Sequence, residues 1–143
     1  MRAHVDSVQR AVRIGFDLIE AHIAHGYLLH EFLSPLANIR TDRYGGSLEY
    51  RMRYPLEVLE AVRAAWPKQK PLSVRISSTD WLPGGVEDAD VIALARALKE
   101  RGTDIIDCSA GMTTPHSRPK FYGRMYQVYF SDMVKNEVKI PTI

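Results

Sequence analysis

The 143 residues are 45% hydrophobic and 25% charged, a balance that places the chain among globular proteins rather than disordered, collagen-like or membrane classes. Nineteen basic and seventeen acidic residues are mixed along the sequence for a net charge of +2, with no run of like charge to track a phosphate backbone, so nucleic acid is not an expected partner. The single cysteine, Cys108, excludes an internal disulfide. With no signal-peptide core and no window of membrane-span length, a cytoplasmic setting without membrane association is expected.

Val5, Val8 and Val12 fall at helical spacing and the pattern stops at Gly15, which predicts an amphipathic helix over 4–14 closed by a glycine cap. The apolar run from Phe16 to Ala21 has the length of a buried parallel strand. Residues 22 to 50 then form a long connection rich in turn residues (Pro35, Asn38, Asp42, Gly45, Gly46, Ser47), and connections of this length tend to be functional. Pro55 is placed in the first turn of a second helix, whose stripe is Leu56, Leu59 and Val62 and which ends at Pro67. Residues 71–77 (PLSVRIS) read as a strand, and 89–101 as a helix with Val91, Leu94, Ala95 and Leu98 on one face, stopped by Gly102. Residues 104–109 (DIIDCS) form a third strand, about 127–138 a last helix, and 140–143 the start of a fourth strand.

Strands alternating with crossover helices imply a parallel sheet. No Gly-x-Gly-x-x-Gly follows a predicted strand, which weakens a dinucleotide-binding open sheet. A closed barrel of eight units needs about 250 residues, of which this chain could supply about half. The element order alone leaves both architectures standing.

His22, His25 and Tyr27 stand after the first predicted strand, at the carboxyl end where α/β sheets place their sites. Two imidazoles can hydrogen-bond one carbonyl oxygen as negative charge develops on it, and a nearby phenol can deliver a proton. The plainer reading is a pair of half-buried histidines satisfied by backbone carbonyls. A metal site on His22, His25 and His30, as in a metal-dependent hydrolase, is disfavoured because Glu20 and Glu31 are the only carboxylates nearby. Arg75 lies inside an apolar strand, where a guanidinium needs an anionic or carbonyl partner: a cofactor, or a carboxylate such as Asp80 or Asp107. Ser109, Ala110 and Gly111 could offer backbone amides to a ligand, and Cys108 reads as a small core residue rather than a nucleophile.

The segment from Ala21 to Arg63 carries, in order, His-x-x-His-Gly-Tyr, Phe-Leu-Ser-Pro, Asn-x-Arg-x-Asp-x-Tyr-Gly-Gly-Ser and a helix opening Arg-x-Arg-Tyr. On these motifs it closely resembles the old yellow enzyme family of FMN-dependent ene-reductases. VRISSTD, DIIDCSAG and the terminal IPTI resemble later strands, and the His-His form resembles the thermophilic-like branch. TDWLPGG and RPKFYGRMYQ are similar to the reductase-like half of salicylyl-CoA and anthraniloyl-CoA hydroxylases.

The resemblance implies a single domain over 1–143, a partial (β/α)8 TIM barrel holding approximately strands four to seven and lacking counterparts of the first three strands and of the phosphate site. Such a half barrel would expose two strand edges and an apolar inner face, and would pair with itself or with a complementing half. The resemblance also implies an oxidoreductase with FMN as cofactor and NAD(P)H as reductant, passing hydride to the activated C=C bond of an α,β-unsaturated carbonyl compound or thioester. His22, His25 and Tyr27 would bind the small-molecule substrate and carry the chemistry, Tyr27 as proton donor; Arg75 and His22 would contact FMN. The competing reading is a catalytically inactive half barrel that serves as a structural or partner-binding domain.

Overall fold

Three strands run parallel in chain order in a computed structural model that describes all 143 residues: β1 (Ile19–Ile23), β2 (Leu72–Ser77) and β3 (Ile105–Ser109). Around them lie α1 (Arg2–Ile14), α2 (Leu28–Leu33), α3 (Leu48–Ala65), α4 (Asp88–Glu100) and α5 (Val128–Val138). Residues 141–143 lie alongside β3: the Ile106 N–H donates to the Pro141 carbonyl at 3.0 Å and the Cys108 N–H to that of Ile143 at 2.9 Å. Pairing at the predicted fourth strand is limited to one bridge, between Ile106 and Thr142.

Register explains how the sheet is partitioned. Side chains alternate across a strand, and the pairs Ile23 with Ile76, Val74 with Ile106 and Ile76 with Cys108 put one apolar row beside the next. These residues join Leu59, Val62, Val91, Leu98 and Val134 in the buried core. The opposite face carries Glu20 and His22 from β1, Ser73, Arg75 and Ser77 from β2, and Asp107 and Ser109 from β3, with Ile105 its one aliphatic member. An apolar inner face was the expectation; the observed one is polar, because the residues between the core positions of PLSVRIS and DIIDCS are serines and charges.

Several elements depart from the sequence reading, three of them for a clear local reason. The first strand starts at Ile19, not Phe16: Gly15 turns left-handed at φ 87°, and the Phe16 N–H is spent on the Ala11 carbonyl in closing α1. Helix α3 starts at Leu48, where Ser47 Oγ accepts the Tyr50 N–H at 3.4 Å, so Pro55 lies inside the helix, with its ring buried, and not in its first turn. The six-residue α2 sits within what was read as one long connection; it is too short to show a helical period.

Candidate functional site

The site lies where β1 turns into α2. His22 is still within β1, not after it. His25 and Gly26 follow at φ 60° and 70°, two consecutive left-handed residues that reverse the chain. Only glycine fits the second position, since a Cβ there would stand 2.6 Å from the Met112 carbonyl oxygen. Each N–H of the turn has a side-chain acceptor: His25 donates to Ser77 Oγ at 2.9 Å, Gly26 to His30 Nδ1 at 3.0 Å.

This turn brings together three of the four residues singled out in the sequence. The His22 ring centroid is 5.1 Å from that of His25 and 5.3 Å from that of Tyr27, whose ring is largely exposed. His25 Nε2 is 2.6 Å from Ser109 Oγ, which also accepts from Gln127 Nε2 at 3.3 Å. The fourth residue, Arg75, is directly beside His22 in register and beside Asp107 on its other side, so one row crosses the sheet as His22, Arg75, Asp107. Of its two candidate partners Arg75 takes Asp107, with Nε 3.3 Å from Oδ2; this buried Nε has no hydrogen bond, while 38% of the side chain remains exposed. Burial lowers the pKa of His25, helped by positive charge on Arg75 and His22 and opposed by Asp107.

His30 does not join the other two histidines. Its ring is buried against Gly26 and Asp80, and no three of the His, Cys, Asp and Glu side chains are grouped to hold a metal ion. Ser109 contributes its hydroxyl, while the Gly111 amide is spent on the Thr79 carbonyl at 2.7 Å. Cys108 is buried in the core, and burial pushes its thiol up to about 11, far from a thiolate nucleophile. Sequence reasoning missed the hydroxyls of Ser77 and Ser109, although a signal existed: both predicted strands end in serine, and register pairs the two.

The residues fit a flavin. A partly exposed guanidinium, held by Asp107 in a polar sheet face beside two imidazoles, suits the carbonyl- and nitrogen-rich edge of an isoalloxazine better than an apolar ligand.

Fold and site together define the class, a segment of (β/α) barrel of old yellow enzyme type, and known proteins agree. The chain belongs to the NADH:flavin oxidoreductase / NADH oxidase family, whose model matches residues 1–143. It is 49% identical over 133 residues to an NADPH dehydrogenase of Bacillus velezensis, covering 93% of this chain and 38% of that protein. Among solved structures it superposes on a 2-naphthoyl-CoA reductase in complex with 2-naphthoyl-CoA (TM-score 0.85, 30% identity, 99% of this chain, 22% of that one). It also superposes on the old yellow enzyme homologue from Zymomonas mobilis (TM-score 0.74, 26% identity, 97% and 38%). The chain thus spans about two fifths of the length of the curated relative.

Proposed function

We propose that this chain carries the substrate-gripping part of an FMN-dependent, NAD(P)H-driven ene-reductase site. The observation that supports it most is the row His22, Arg75, Asp107 on the polar sheet face, ending under the rings of His25 and Tyr27. FMN, when bound and reduced by NAD(P)H, supplies the hydride. His22 and His25 hold the carbonyl oxygen of the acceptor and stabilise the charge that gathers there. Neutral His25 suits this, since a neutral imidazole still donates one N–H without holding its own counter-ion in the pocket. Its Nε2 is engaged by Ser109, so an acceptor oxygen shares or displaces that hydroxyl. Tyr27, exposed beside His22, would deliver the proton to the α-carbon, and Arg75, paired with Asp107, would hold the flavin edge with its fixed positive charge.

The acceptor class is the α,β-unsaturated carbonyl compounds. A narrower choice, a CoA thioester, is supported by the likeness to a 2-naphthoyl-CoA reductase. It is also supported by the stretch from Ala110 to Ser131, which holds Arg118, Lys120 and Arg124 and no acidic residue. The open edge of β1 and the apolar groove between α1 and β1 favour pairing with a second copy or a complementing half barrel.

Titrating the chain with FMN and following fluorescence quenching tests the proposal. Binding that weakens about tenfold or more in Arg75→Ala, the loss of one charge-assisted contact, is expected. No binding at high FMN would replace this reading with that of an inactive half barrel; equal binding by the variant would remove Arg75 from the flavin contact.

A further inference from the structure

The turn that presents His25 and Tyr27 is held from behind by groups that take no part in the chemistry proposed above. His30 is 1% exposed and Asp80 is fully buried. His30 Nδ1 accepts the Gly26 N–H, which fixes the ring proton on Nε2 if the ring is neutral. That Nε2 has no hydrogen-bond partner and lies 3.6 Å from Asp80 Oδ1, so the carboxylate faces the ring proton without bonding it. Asp80 is itself fixed from three directions. Its Oδ2 accepts from Ser34 Oγ at 2.7 Å, at the end of α2, and from the Val86 N–H at 2.9 Å; its Oδ1 accepts from Thr113 Oγ1 beyond β3. One buried carboxylate therefore ties together the segments following α2, β2 and β3, and the ring it faces holds the Gly26 amide.

We propose that Asp80 and His30 are positioning residues that lock the left-handed His25-Gly26 turn, and through it the direction in which the His25 imidazole meets Ser109 and a ligand oxygen. This rests on the reading of His22 and His25 as the carbonyl grip. The groups facing His30 are Asp80 from the β2–α4 connection, His22 and His25 from β1 and its turn, and Asp90 of α4 across a small shared cavity. Burial outweighs the attraction of Asp80 and holds the ring down to about 4, which keeps Nδ1 an acceptor near neutrality. A protonated ring would turn a donor toward the Gly26 N–H and release the turn.

Histidine-selective 1H–15N NMR of the whole chain between about pH 5 and 8 tests this, because that window brackets the ordinary histidine pKa. The expected result is a His30 that stays in the Nε2–H tautomer throughout, and a His25 that titrates below the ordinary range. In His30→Leu, which has no acceptor, His25 should move back toward that range. In His30→Asn, whose amide oxygen can replace Nδ1, it should stay low. A global loss of stability would leave the folded-state titration of His25 unchanged. A His30 in the Nδ1–H form, a His30 that titrates in this window, or a His25 indifferent to His30→Leu would overturn the proposal. The wild-type tautomer decides the matter even if His30→Leu does not fold. Adding 2-cyclohexen-1-one with FMN separates the two readings. If the wild-type His22 and His25 signals do not respond to it, the ene-reductase reading fails while the tautomer still judges the turn. If they respond, affinity should drop about tenfold in His30→Leu and much less in His30→Asn, the loss of one buried hydrogen bond.

Discussion

Burial gives His30 a second consequence beside its hold on Gly26. Its folded-state pKa, about 4, lies below the unfolded value of 6.5, so between these pH values the unfolded chain binds more protons than the folded one. The contribution to stability is therefore complete above about pH 6.5 and is lost as pH falls toward 4. Urea unfolding at about pH 7 and about pH 5 should show a steeper loss for the wild type than for His30→Asn, which removes the titrating group. Equal losses would mean that the ring is already charged or solvated in the folded state. At this scale the sequence was informative where chemistry repeats along the chain: His22, His25, Tyr27 and Arg75 do converge on one end of the sheet. It was blind to Asp80 as an anchor, because the Ser34, Val86 and Thr113 donors that meet there come from three separate connections.

Among the elements, the connection between β1 and α2 carries the strongest local constraint. A side chain at Gly26 meets both a left-handed backbone and the Met112 carbonyl at 2.6 Å. Gly26→Ala should cost about 1–3 kcal/mol from backbone strain alone, more if Met112 cannot shift, read as a lowered urea midpoint with unchanged slope. An unaltered midpoint would show that the turn adapts and is not a fixed frame for His25. Helices with a full apolar stripe were legible: α4 was read to within a residue at each end, and Val91, Leu94, Ala95 and Leu98 are all buried. Elements whose ends are set by caps were not. The start of α3 depends on Ser47 and the start of β1 on the hydrogen bonds that close α1, whereas Pro55 and Phe16 sent the wrong signal.

For the molecule as a whole, the parallel order of strands and the helical outer layer followed from alternation of periods, yet alternation alone could not choose between an open sheet and a barrel. The motifs from Ala21 to Arg63 made that choice, and the family match over residues 1–143 agrees with it. The polarity of the inner face was missed because PLSVRIS and DIIDCS looked apolar as wholes; only the register shows that their serines and charges share one side. No helix is long and apolar enough to cross a membrane. Two surfaces now compete for a planar, partly apolar ligand: the polar row His22, Arg75, Asp107, and the groove of about 580 Å³ lined by Val8, Ala11, Ile19, Leu29 and Val62 between α1 and β1. A crystal structure of the chain grown with FMN distinguishes them. The isoalloxazine is expected against the polar row, with Arg75 at its edge and His25 and Tyr27 free on the open side; flavin in the apolar groove, or none bound, would contradict this reading.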